Sequence, residues 1–203
     1  LEFRRVLFRS GTFDPIHYGH LMIAENAREA YELDKVIFMP AGCPPHKDGK
    51  RVSPADKRLA MVELAVKDNP YFVVSDYEIT KESSSYTVDT MGWLKEKYPE
   101  ETEFYFILGA DELRDLPHWK EPQKLLTLCK MIAVTRPHIN FSLRQLAGIF
   151  KQPQNIETLG TPEMQLSATD IRNRIKNGVT IRYMVPDAVL EFIKKEGLYL
   201  DKD

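Results

Sequence analysis

Six short runs rich in Val, Ile, Phe and Tyr recur along the chain with helix-length stretches between them, and this alternation limits the fold more than any other feature. The runs are Arg5–Phe8, Val36–Met39, Phe72–Ser75, Phe104–Leu108, Met131–Thr135 and Asn155–Thr158. Their residue types suit pleated, buried surfaces. Helix is expected from about Gly19 to Tyr31, with Leu21, Ala24, Ala27 and Tyr31 on one face. It is expected again over Ala55–Lys67, with Leu59, Val62 and Val66 inward, and over Thr87–Tyr98, with Met91 and Leu94 inward. Shorter helices are expected at Pro122–Thr127 and Leu143–Phe150, and two more, Thr169–Asn177 and Pro186–Glu196, close the chain. Pro186 suits a first helical position and Gly197 a C-terminal cap. Strand–helix–strand repetition implies right-handed crossovers. The fold class is therefore α/β: a doubly wound, mainly parallel sheet with helices on both faces and a small C-terminal helical portion. Ligands of such sheets bind beyond the carboxyl ends of the strands, so the informative loops follow Phe8, Met39, Leu108 and Thr135.

Composition excludes several function classes. A formal net charge of −2 over 203 residues supplies no overall basic field for a nucleic acid, although local cations can still hold a small anion. The two cysteines, Cys43 and Cys129, cannot build a disulfide framework or a zinc cluster, and read as free thiols in a reducing compartment. No apolar run approaches the roughly 20 residues that span a bilayer. A cytoplasmic protein acting on small molecules is expected, with no membrane partner; assembly into a homo-oligomer stays open. The first ten residues, Leu1–Ser10, lack an initiating Met and the apolar core of a signal peptide. They read as linker- or adapter-derived, with a single domain running from Gly11 to Asp203.

The chemistry is concentrated after the first strand, in Gly11-Thr12-Phe13-Asp14-Pro15-Ile16-His17-Tyr18-Gly19-His20. Gly11 allows close approach of backbone to phosphate oxygens. His17 and His20 stand three apart at a helix start, where the helix dipole and backbone amides favour an anion. Gly19 between them removes a side chain that would block a nucleotide. Two imidazoles at a phosphate suit nucleotidyl transfer, in which an anionic acceptor attacks in line and catalysis is positioning plus charge stabilisation. A neighbouring phosphate would favour the protonated, donating imidazole. An isolated H-x-x-H pair is more often structural; the preceding Gly-Thr-Phe-Asp-Pro and the intervening Gly change that balance.

This segment resembles the G-G-T-F-D-P-x-H-x-G-H signature of bacterial nicotinate-mononucleotide adenylyltransferases, members of the HxGH nucleotidyltransferase superfamily. Ser10 stands where that family has its first Gly, and would crowd the loop if a positive φ were needed. Further stretches match in the same order. Pro44-Pro45-His46-Lys47 resembles a loop whose Lys approaches the phosphates, within the proline- and glycine-rich stretch Ala41–Pro54 that reads as a mobile loop. Ser85-Tyr86-Thr87 is similar to a helix start that receives the nicotinate carboxylate. Gly109-Ala110-Asp111 resembles a nucleotide loop, with Asp111 on a ribose or adjacent groups. Pro117-His118-Trp119 is similar to a segment whose Trp stacks on the pyridine ring, and Arg136 to an arginine on the mononucleotide side. Leu166-Ser167-Ala168-Thr169-Asp170-Ile171-Arg172 resembles the family's I-S-[SA]-T-x-I-R helix start, where Arg172 can reach the β- and γ-phosphates.

The resemblance implies a Rossmann-like domain that joins ATP to nicotinate mononucleotide, giving deamido-NAD and pyrophosphate with no covalent enzyme intermediate. It implies His17 and His20 as catalytic residues. Gly11, Thr12, Phe13, Lys47, Gly109, Asp111, Ser167, Thr169 and Arg172 would bind ATP, and Thr87, Trp119 and Arg136 the mononucleotide. Mg²⁺ would ride on the ATP phosphates, since no acidic cluster with metal spacing is visible. Two alternatives remain at this level. One is a related adenylyl- or cytidylyltransferase with another acceptor, such as nicotinamide mononucleotide or phosphopantetheine. The other is a nucleotide-binding module with impaired catalysis.

Overall fold

The strands order themselves β3-β2-β1-β4-β5-β6 in one six-stranded sheet. The computed structural model describes residues 3–42, 52–81, 86–109, 112–135, 150–162 and 164–200. The strands are β1 (Arg5–Gly11), β2 (Lys35–Pro40), β3 (Phe72–Val74), β4 (Glu103–Gly109), β5 (Lys130–Thr135) and β6 (Ile156–Gly160). The helices among the described residues are α1 (Tyr18–Ala30), α2 (Ala55–Val66), α3 (Tyr77–Thr80), α4 (Thr87–Lys97), α5 (Glu112–Asp115), α6 (Pro122–Leu128), α7 (Ala168–Lys176) and α8 (Asp187–Glu196). Pairing is parallel from Arg5↔Glu103 to Phe8↔Phe106, from Tyr105↔Lys130 to Gly109↔Val134, and from Met131↔Ile156 to Thr135↔Gly160. The winding reverses between β1 and β4, as in doubly wound sheets.

The chain divides into two compact units. The first comprises Leu1–Arg9, Glu25–Ile37 and Ser85–Glu163. Its strand centres are apolar without a break: Phe104 to Leu108 in β4 and Met131 to Val134 in β5 are all buried, as strands covered on both faces require. Val6, Leu7 and Phe8 of β1 are fully buried, and Phe8 meets Phe106 at 5.3 Å between ring centroids. Met91 and Leu94 of α4 are buried, as their spacing predicts.

The second unit comprises Ser10–Ala24, Phe38–Ser84 and Met164–Asp203. Phe38 packs against Phe13 and Phe72, while α8 contributes Val189, Leu190 and Ile193 to the interior. The inward face of α2 differs from its expected form. It is Arg58, Met61, Val62 and Val66 that are buried, whereas Leu59 is only half-buried. Pro186 sits one residue earlier than expected, as the N-cap of α8, and Gly197 closes that helix in the left-handed conformation at φ 62°. The helix expected at Leu143–Phe150 lies, but for its last residue, outside the described residues.

Candidate functional site

Within the second unit, β1 delivers the chain at Gly11 into a loop that ends where α1 begins at Tyr18. Phe13 adopts a left-handed φ of 48°, unusual for a bulky residue, and its buried ring lies edge-on to His20 at 5.1 Å. The rings of His17 and His20 stack, with centroids 3.7 Å apart and planes 19° from parallel. The His17 backbone N–H donates to His20 Nδ1 at 3.2 Å. That bond needs an unprotonated Nδ1, which leaves Nε2 as the proton-bearing nitrogen of His20. The imidazolium anticipated from sequence would have to break it.

Both glycines of the segment Gly11–His20 make room for the protein's own rings. A Cβ on Gly19 would lie 3.0 Å from His17 Nδ1 and 3.6 Å from Leu166 Cβ. One on Gly11 would lie 3.0 Å from Cζ of Phe13. Sequence reasoning assigns both glycines to the nucleotide, because the sequence does not show that the motif's rings fold back onto its backbone. Ser10 shows no positive φ; it lies in β1, and its hydroxyl donates to Glu78 Oε2 at 2.9 Å. The first amide of α1 is engaged, since Tyr18 N–H donates to Met184 O at 3.0 Å.

The downstream motif comes to this loop. Ser167 caps α7 in extended conformation, its hydroxyl accepting from Asp170 N–H at 3.1 Å. One turn on, Arg172 donates from Nη2 to Thr169 Oγ1 at 3.2 Å and from Nη1 to the Asp14 carbonyl at 2.7 Å. The guanidinium bridges a hydroxyl in the first turn of α7 and the carbonyl three residues before His17, tying that helix start to the loop that leads to the imidazole pair. Ser167, Thr169, Arg172, His17 and His20 thus gather with Gly11, Thr12 and Phe13 in one unit.

Asp14 is the hub of this arrangement, and sequence reasoning does not single it out. It is 3% exposed, and its Oδ1 accepts from the Tyr199 hydroxyl at 2.6 Å and its Oδ2 from Ser53 N–H at 3.2 Å. Burial first, and then the Asp14 carboxylate, push the Tyr199 phenol far above its usual range. Tyr199 holds a left-handed φ of 66°. No local signal could have marked it, because 185 residues separate it from Asp14.

The first unit holds Gly109, Thr87 and Trp119. Gly109 ends β4, and its N–H donates to Glu112 Oε2 at 2.9 Å. Thr87 opens α4 and is half-buried. Trp119 is half-buried between exposed His118 and Lys120, and its ring meets Phe106 at 6.0 Å, tilted 71°. Lys120 pairs with Asp89 at 2.9 Å and lies 4.7 Å from the centroid of the Tyr86 ring. Those two residues flank Thr87, so Lys120 ties the Trp119 segment to the start of α4. Lys47, Asp111 and Arg136, with Cys43 and Ser85, lie outside the described residues. Among the described residues no group of three His, Cys, Asp or Glu could hold a metal, and no helix is long and apolar enough to cross a membrane.

Comparison with known proteins bears on the family and the fold. Residues 8–174 match the cytidylyltransferase-like family. A protein of Desulfitobacterium hafniense strain Y51, named probable nicotinate-nucleotide adenylyltransferase, is 45% identical over 199 residues, covering 97% of this chain and 96% of its own. One of the same name from Roseiflexus sp. strain RS-1 is 46% identical over 190 residues, covering 93% and 94%. Among solved structures, Plasmodium falciparum nicotinic acid mononucleotide adenylyltransferase complexed with NaAD superposes with a TM-score of 0.79 at 21% identity, covering 97% of each chain. That last likeness is one of fold.

Proposed function

The chain belongs to the cytidylyltransferase-like family and, within it, to the nicotinate-nucleotide adenylyltransferases, and on that premise we propose that it transfers the adenylyl group of ATP to nicotinate mononucleotide. The 5′-phosphate oxygen of the mononucleotide attacks the α-phosphorus in line. The bond to the α,β-bridging oxygen breaks, pyrophosphate leaves with that electron pair, and deamido-NAD remains. The acceptor is already an anion, so no residue need serve as a nucleophile. This is an adenylylation step of NAD synthesis, and we place it in the reducing cytoplasm, where the free thiol of buried Cys129 stays reduced.

The observation that carries this reading is the seating of the Arg172 guanidinium on the Asp14 carbonyl, in the loop that leads to His17 and to a His20 whose Nδ1 is already occupied. In this reading Nε2–H of His20, with His17 packed behind it, stabilises charge growing on the transferring phosphate. Arg172, Ser167 and Thr169 hold the outer phosphates, together with Gly11, Thr12 and Phe13 of the loop. Thr87 and Trp119 take the mononucleotide. The family pattern adds Lys47 and Asp111, with Gly109, on the ATP side and Arg136 on the acceptor side. Mg²⁺ would be held by the triphosphate oxygens and would supply charge neutralisation there. The groups that this reading brings to the phosphates are imidazole, hydroxyl and guanidinium, while the Asp14 carboxylate is already engaged by Tyr199 and Ser53; such a set suits an ion held by phosphate oxygens.

Pyrophosphate release measured with ATP and either the acid or the amide mononucleotide tests the proposal. Turnover with the acid, and far less with the amide, is expected. His20→Ala should lower that turnover by about 100-fold or more while leaving the mononucleotide KM near its starting value. Absence of pyrophosphate with both acceptors, or an unimpaired His20→Ala enzyme, overturns it.

A further inference from the structure

Among the described residues Arg58 is the largest of the fully buried side chains, 1% exposed on the inner face of α2. Its guanidinium donates to four backbone carbonyls: Ser53 at 3.0 Å, Thr12 at 2.9 Å, Ala41 at 2.7 Å and Gly42 at 3.1 Å. These belong to three separate stretches: the loop after β1, the exit of β2 and the residues leading into α2. The planar fork of an arginine can serve several acceptors in fixed directions at once, which the point charge of a lysine cannot.

The bond to Thr12 has a directional consequence. The only cis peptide among the described residues is Asp14–Pro15, so the Thr12–Phe13 peptide is trans and its C=O and N–H point in opposite directions. Holding the Thr12 oxygen against a guanidinium in the interior turns the Phe13 N–H away from the interior. Phe13 carries the left-handed φ of 48°, a conformation that survives in a bulky residue only when its neighbours hold it on both sides. Arg58 grips it through Thr12. Tyr199 and Ser53 grip it through Asp14.

We infer that Arg58 is a positioning residue for ATP: by fixing the Thr12 carbonyl inward it aims the Phe13 N–H at the triphosphate, without touching the nucleotide itself. The inference rests on the ATP-dependent reading above but not on which mononucleotide accepts the adenylyl group. It assigns a functional consequence to a side chain that a sequence-level view treats as one more helix position. The signal in the sequence is a cation on the apolar stripe of α2, one turn before Val62.

Two measurements test it. In Arg58→Lys, the ATP KM should rise about tenfold or more, the loss of a charge-assisted bond, while the mononucleotide KM stays within about twofold. A purely structural role would lower the active fraction, counted by active-site titration, and leave both KM values unchanged in the molecules that fold; that result overturns the inference. The second measurement needs no variant. Amide hydrogen exchange of the intact chain should show the Phe13 N–H slowed by a non-hydrolysable ATP analogue alone, and an unaltered Phe13 rate at saturating analogue also overturns the inference. Protection at Phe13 without turnover on nicotinate mononucleotide would sink the acceptor assignment and leave Arg58's role standing.

Discussion

His17 is held in a slot 5% exposed, between the ring of His20 and the bare backbone of Gly19. Alanine at 19 would gain about 1 kcal/mol of helix propensity. Its Cβ would also press on the His17 ring at 3.0 Å, and displacing a packed ring costs about 1–3 kcal/mol. At the low end of that range the two effects offset in stability, though not in geometry. Gly19→Ala is therefore expected to keep its urea midpoint close to that of the parent while kcat falls by about tenfold or more, because the imidazole pair moves as a unit. Equal, small changes in both quantities would show that the ring can give way freely. The histidines themselves are legible from spacing and neighbours. The reason for the glycines is not, since it depends on rings folding back over the backbone that carries them.

Among the elements, α7 is short and highly polar, and its buried contribution is Ile171. Its start is consequently fixed by its cap more than by packing. Ser167→Ala removes the acceptor for Asp170 N–H and should cost about 1 kcal/mol. Fraying there shifts Thr169 and Arg172, so the ATP KM should rise clearly more than the mononucleotide KM in steady-state assays. The long elements can be read from sequence because their periods run for two or more turns: α1, α2, α4, α7 and α8 lie within a residue or two of expectation. The helices α3 and α5, of four residues each, are too short to show a 3.6-residue period and escape a sequence reading. The face of α2 departs from expectation at Arg58, because a cation is usually assigned to solvent unless its acceptors can be foreseen, and here most of them are carbonyls distant in sequence, at Thr12, Ala41 and Gly42.

Across the whole molecule, burial shifts several acids in one direction. Cys129 is pushed up to about 12, with Lys95 opposing, and Tyr31 up to about 12, with Glu157 adding to the burial effect. Tyr98, Tyr105 and Tyr199 are raised chiefly by the same cause. The unfolded chain loses these protons near the ordinary thiol and phenol values, while the folded chain still holds them. Unfolding is then favoured as pH rises from about 9 towards 12, and the urea midpoint should fall between about pH 8 and about pH 10.5. Cys129→Ala should flatten that decline, whereas an unchanged slope would remove the thiol from the account. The parallel sheet can be anticipated because unbroken apolar runs such as Phe104–Leu108 need cover on both faces. The strand order needs the structure, since sequence patterns do not record which crossover turns back. The bond from Tyr199 to Asp14 is a further long-range feature that sequence does not display. It makes the segment after α8 part of the nucleotide loop: removing the Tyr199 hydroxyl, as in Tyr199→Phe, would loosen the turn ahead of His17.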